Sequence, residues 1–135
     1  MPKTVIALLY KKGGEMNIDE LIQKVNGAIF KVNKILGAGF LQKVYENALL
    51  VELRNMGLNT KAQVPTAVHY EGEVVGEYFA DIVVEDKVVL ALKAVEYFEK
   101  IHEAQLLNYL NASQYNVGLL VNFTYPKAVI KRIVL

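Results

Sequence analysis

Between Ile18 and Leu36 the apolar residues Ile22, Val25, Ile29, Val32 and Leu36 recur at three- and four-residue steps. That spacing places them on one stripe of a helix, with Lys24, Lys31 and Lys34 on the other side. Asn17 precedes the run and Glu20 follows three residues later, the pairing in which both side chains satisfy free amides of a first turn. The helix is therefore predicted to begin after Asn17, and Gly37 and Gly39 supply its stop. A second helix is predicted from Leu41 to Met56, with Leu41, Val44, Tyr45, Ala48 and Leu49 on one side and Gly57 beyond its end.

After Pro65 the pattern becomes extended. Ala67 to Tyr70, then Val74-Val75 with Tyr78 to Val84, and then Val88 to Val95 read as the three strands of a meander, with turns at Glu71-Gly72 and Glu85-Asp86. Val88 to Leu92 is nearly continuous in apolar residues, as a central strand covered on both faces requires. A third helix is predicted from Glu99 or Ile101 to Leu110, then strands from Asn116 to Phe123 and Val129 to Val134, parted by Tyr125-Pro126. The order α-α-β-β-β-α-β-β, with no repeat or linker, predicts a single α/β domain over residues 16–135 with a mixed sheet. Residues 1–15 read as an N-terminal extension, closed by Gly13-Gly14, whose apolar Val5 to Leu9 run is a candidate added strand.

Composition narrows the function classes. A length of 135 residues with 53% hydrophobic content and a net charge of +1 excludes a disordered chain. No apolar run reaches the roughly 18 to 20 residues of a membrane-spanning helix, and the first segment makes a poor signal peptide, so a cytoplasmic location without membrane partners is expected. With no cysteine, thiolate metal sites and cysteine nucleophiles are excluded. The near-neutral balance argues against coating nucleic acid by bulk charge, while a local basic patch stays open. Neither Gly13-Gly14 nor Gly37-Ala38-Gly39 is followed by the Lys-Ser/Thr of a phosphate-binding loop.

Asp81 and Lys93 fall on strands joined by the Glu85-Asp86 turn, so both approach one end of a hairpin. Two explanations remain open from spacing alone: an ion pair at the sheet rim, or half of a metal-dependent hydrolytic site.

Four stretches in order, Gly39-Phe40-Leu41-Gln42-Lys43-Val44-Tyr45-Glu46, Gly76 to Asp81, Ala91 to Glu96 and His102 to Leu110, resemble the GxxExxY proteins. That small prokaryotic family is assigned to the PD-(D/E)xK nuclease superfamily, and the resemblance runs from about Met16 to the C-terminus. It implies a restriction-endonuclease-like core, a central mixed sheet flanked by helices. It further implies a Mg²⁺ or Mn²⁺ ion held by carboxylates on neighbouring strands, which lowers the pKa of a bound water, and a lysine that orients that water or offsets charge on phosphate. Carried over, the metal-binding Asp is Asp81 and the lysine is Lys93, but the Glu of E-x-K falls on Ala91, whose methyl cannot coordinate. In the signature, Gly39 and Tyr45 match while Gln42 stands in place of the Glu.

The remaining candidates follow from these departures. Glu46, one helical turn beyond Gln42, is the candidate compensating acid, set against the reading of a solvated helix carboxylate. Glu96 and Glu103 are further acids, Glu96 falling on the opposite strand face from Lys93 if the strand extends so far. Gln105 and Tyr109 share a helix face and resemble the Q-x-x-x-Y element of related nucleases. His102 reads either as a capping residue or as a phosphate contact, and His69 has no partner suggested. Lys131 and Arg132, with Lys24, Lys31 and Lys34, read as solvent-facing charges or phosphate contacts.

Three functions follow as expectations. The first is a nuclease-fold protein with a degraded metal site that binds nucleic acid or a protein partner, retaining Asp81, Lys93, Gln105 and Tyr109. The second is an active Mg²⁺- or Mn²⁺-dependent nuclease in which Glu46 compensates for Ala91 and Gln42. The third is a scaffold that forms a homodimer or larger homo-oligomer through a sheet edge or the Met1 to Leu9 segment.

Overall fold

In a computed structural model that describes residues 16–135, the chain opens with two helices, α1 (Ile18–Leu36) and α2 (Gln42–Asn55). There follow β1 (Thr60–Tyr70), β2 (Glu73–Val84), β3 (Val88–Lys93), α3 (Lys100–Ala112), β4 (Val117–Asn122) and β5 (Val129–Val134). The strands form one sheet in the order β1-β2-β3-β4-β5. Only β3 and β4 run parallel, because α3 carries the chain back between them; the other pairs are antiparallel. The element order and mixed sheet agree with the sequence reading. The proposed N-terminal extension and its added strand lie outside the described residues.

Local chemistry sets the helix ends as expected. Asn17 Oδ1 accepts the Glu20 amide at 2.8 Å, its Nδ2 donates to Glu20 Oε1 at 3.0 Å, and Gly37 closes α1 with φ +71° and an N–H to Asn33 C=O. The α1-to-α2 corner is tied by Tyr45, whose hydroxyl donates to Gly37 C=O at 2.5 Å and accepts the Phe40 N–H at 3.2 Å.

Two apolar layers sit on the two faces of the sheet. Leu21, Val25 and Ile29 of α1 and Tyr45, Leu49 and Leu53 of α2 pack on Ile82, Val88, Leu90, Leu92, Leu119 and Val121. On the other face Leu106, Tyr109 and Leu110 of α3 pack on Val83, Val89 and Leu120. Val88, Val89, Leu90 and Leu92 have no exposure, so β3 is the doubly covered central strand that its composition predicts. Leu106 presses so closely on β4 that a Cβ at Gly118 would lie 2.9 Å from its Cδ1, which explains a glycine inside a buried strand.

Several boundaries differ from the sequence reading. β1 begins at Thr60 and runs through Pro65, because β1 is an edge strand and a missing N–H is tolerated there. Val74-Val75 and Tyr78 to Val84 fall in one strand, as the predicted order of three strands requires, turned back on β1 at Glu71-Gly72, where both residues have positive φ. β3 stops at Lys93, short of Val95, so Glu96 belongs to no strand and is exposed; the alternation argument for its direction does not apply.

Candidate active-site cleft

β2 is hydrogen-bonded to β3 only from Ile82 to Val84, so the two strands part at Asp81. The splay exposes the Leu92 N–H, and Asp81 Oδ2 accepts it at 2.7 Å, a side-chain substitute for the ladder bond. The alternation of β2 breaks at the same place. Ala80 and Val83 pack on the α3 side while Ile82 and Val84 pack on the α1 and α2 side, whereas strict period two would put Ala80 with Ile82. On β1 the ladder also lapses between Ala62 and Val64, where Gln63 takes a left-handed conformation with φ +51°. That backbone is unfavourable for glutamine, and hydrogen bonds of its side chain offset the strain.

Beyond the splay lies a cleft of about 240 Å³ between the sheet and α3. Asp81, Ala91, Lys93, His102, Gln105 and Tyr109 all line it. Ala91 and Lys93 share the α3 face of β3 by strand alternation, and both are only partly buried. The helix residues arrive from α3, where Gln105 is exposed and Tyr109 is 3% exposed. Tyr109 Oη donates to Val64 C=O at 3.0 Å, so the phenol also fastens α3 to the edge strand. Burial, then the neighbouring Tyr115, pushes its pKa above the usual phenol value, which keeps it a donor.

The electrostatics centre on Asp81. Burial is the largest influence and raises its pKa above the usual 3.8; the Glu46 charge raises it further, while the Leu92 N–H, the Gln63 amide and Lys93 oppose the rise. Lys93 thus acts on Asp81 as a nearby charge and makes no direct ion pair with it among the described residues, so the rim ion pair is not formed. Because the folded pKa lies above the unfolded one, folding takes up a proton between them. The contribution of Asp81 to stability is full below about pH 3.8 and is lost as pH rises through the folded value. Asp81→Asn, which keeps an acceptor for Leu92, is expected to raise Tm at pH 7, with the gain shrinking as pH falls towards 4. Thermal melts at the two pH values check this, and a lower Tm at pH 7 would count against it.

Glu46 lies outside the cleft wall. It is 2% exposed on the packed side of α2, where its Oε1 accepts from Gln63 Nε2 at 2.8 Å and from Lys43 Nζ at 3.3 Å. The reading of Glu46 as a solvated carboxylate is therefore incorrect, because α2 turns it inward beside Tyr45 and Leu49. Gln63 Nε2 also approaches Asp81 Oδ1 at 3.4 Å, so one amide joins the two acids. Gln42 is partly exposed and is not among the cleft residues.

The other candidates divide. His102 Nδ1 accepts the Glu99 N–H at 3.1 Å, so it caps α3 while its ring borders the cleft. Glu103 pairs with Lys131, Arg132 with Asp19 and Lys31 with Glu52, so these residues are engaged in structural ion pairs. Glu77, at the cleft mouth, and Gln63 were not anticipated. Nothing in a single sequence marks a left-handed residue within a strand.

A divalent ion in this cleft requires carboxylates that converge from neighbouring strands. Asp81 has one oxygen committed to Leu92, and the position across from it carries the Ala91 methyl. Among the described residues no group of three or more acidic, histidine or cysteine side chains is placed to hold a metal. The carboxylates that line the cleft are those of Asp81 and Glu77, and Ala91 contributes none.

A helix pair and a single helix on opposite faces of a mixed sheet, with an Asp at a strand splay and a Lys on the next strand, define a nuclease-like α/β domain. The PD-(D/E)XK nuclease superfamily model matches residues 19–133, and the chain belongs to that superfamily. No curated protein and no solved structure was found to match the chain. Among the described residues no helix is long and apolar enough to cross a membrane.

Proposed function

We propose that this chain is a nucleic-acid-binding member of the superfamily, close to the GxxExxY proteins, whose cleft has lost the ability to cut. The observation that carries the reading is Ala91. It stands in the cleft between Asp81 and Lys93, where the E-x-K pattern requires a carboxylate. Without that charge a hard cation is poorly held, and the metal-activated water that cuts phosphodiesters goes with it. What remains suits binding: Lys93 as a cation and Gln105 as an exposed amide, with Tyr109 spending its proton on Val64 C=O to hold α3 over the cleft. The test is retention of labelled single- and double-stranded DNA and RNA without metal, together with cleavage assays in Mg²⁺ and Mn²⁺. Binding that weakens about threefold or more on Lys93→Ala, with no cleavage, is expected from loss of one phosphate contact. Metal-dependent cleavage by the unaltered chain would overturn the reading.

A second reading has its own observation. The Gln63 amide bridges Glu46 and Asp81 at 2.8 and 3.4 Å, so a cation replacing that amide would meet two carboxylates. On this reading Glu46 compensates for Ala91, and the chain is a Mg²⁺- or Mn²⁺-dependent nuclease. Cleavage abolished by both Glu46→Gln and Asp81→Asn would select it.

A further inference from the structure

A second recess lies at the same end of the sheet as Asp81 and Lys93. β3 and β4 are parallel, Lys93 pairs with Asn122, and the Phe123 N–H donates to Lys93 C=O at 2.9 Å. The chain leaving β4 therefore starts its loop beside the end of β3 that carries the cleft lysine. Thr124 Oγ1 also donates to Glu96 C=O at 3.4 Å, joining that loop to the one after β3. Between the loop and the last turn of α1 is a hollow of about 480 Å³, within the usual size of small-molecule sites.

Its walls have a definite chemistry. Lys34 and Lys127 line it, and no acidic residue does. Lys31, Lys131 and Arg132 face carboxylates, but neither Lys34 nor Lys127 has a carboxylate partner among the described residues. Lys127 is nonetheless held in place, because its ammonium sits 4.8 Å from the centre of the Phe30 ring. Tyr125 is 83% exposed at the rim, a large aromatic surface with little packing to explain it. Asn33, 7% exposed in the wall, interrupts the apolar face of α1, and its amide oxygen has no hydrogen-bond partner within the described fold.

We propose that this recess is a nucleotide-binding subsite that holds one phosphate and its base in a single nucleic-acid strand reaching the Asp81 cleft. Lys34 and Lys127 neutralise the phosphate, and Tyr125 stacks on the base. Stacking on tyrosine accepts any base, so the subsite fixes the path of the strand more than its sequence. The assignment rests on the nucleic-acid reading of the cleft.

The test is fluorescence anisotropy with short labelled single-stranded DNA and RNA across a salt series. The chains compared are the unaltered protein, Tyr125→Ala, the double variant Lys34→Ala with Lys127→Ala, and Lys93→Ala. All four positions lie on exposed or partly exposed side chains, so folding is expected to survive, and circular dichroism verifies it. Tyr125→Ala should weaken binding about tenfold at every salt concentration. The lysine double variant should lower the slope of log K against log salt by about 0.7, the value for loss of one phosphate contact on a single strand. If Lys93→Ala weakens binding while the Tyr125 and lysine variants change neither affinity nor slope, the subsite is overturned and the cleft reading stands. If the unaltered chain binds no oligonucleotide, both fall. A free nucleoside monophosphate that binds as tightly as the oligonucleotide, and is lost in the same variants, would make the recess a site for free nucleotide and overturn the strand path.

Discussion

Ala91→Glu is expected to raise Mn²⁺ affinity about tenfold or more and to create metal-dependent cleavage where the unaltered chain shows none. The side chain has room, because Ala91 is only partly buried and opens on a cleft of about 240 Å³. The new carboxylate would share a face with Lys93 and converge with Asp81, whose second oxygen accepts, among the described residues, only the long 3.4 Å bond from Gln63. Since burial raises the pKa of Asp81, metal binding in this variant should decline on acidification at a higher pH than for an ordinary aspartate. Isothermal titration with Mn²⁺ and a cleavage assay read the two effects separately. Unchanged Mn²⁺ affinity in a folded Ala91→Glu chain would show that the cleft is not the remnant of a metal site. Affinity gained without cleavage would place the missing element elsewhere, with Gln42 the next position to restore.

The second large effect concerns stability. Tyr45→Ala should cost about 3–5 kcal/mol, the range for removing a fully buried aromatic side chain. Tyr45 has no exposure, and its ring stacks on Phe123 with centroids 4.5 Å apart and planes 5° from parallel. Its hydroxyl holds the Gly37 carbonyl and the Phe40 amide at the corner between α1 and α2. Tyr45→Phe keeps the stack but strips both groups of a partner, for an expected loss of about 1–3 kcal/mol. Urea unfolding of the two variants checks the ranking. Equal losses would mean that the hydroxyl, and not the ring, carries the effect. Tyr45 is thus a structural residue: it sets the start of α2, the helix that carries Glu46 to Gln63.

How far the site was legible follows from what each residue needed. Asp81 and Lys93 could be read as approaching one end of a hairpin because β2 and β3 are joined by the tight Glu85-Asp86 turn, and the structure has both, with Ala91, lining one cleft. Gln105 and Tyr109 followed because positions four apart share a helix face. Glu46 was visible as an acid one turn beyond Gln42, but its burial was not, since depth on α2 depends on what packs against that helix. Glu103, Lys131 and Arg132 were ambiguous as isolated charges, and their partners lie 28, 28 and 113 residues away.

The sequence by itself determined the elements and their order, the central position of β3 and the absence of a carboxylate at position 91. These depend on periodicity, capping and residue identity, which are local. Only the tertiary structure decided that β2 parts from β3 at Asp81, that Gln63 bends into a left-handed conformation to join Glu46 with Asp81, and that Lys34, Lys127 and Tyr125 gather around one recess. Those arrangements arise from contacts between elements distant in the chain. Their energies depend on packing and burial, which no short stretch of residues encodes alone.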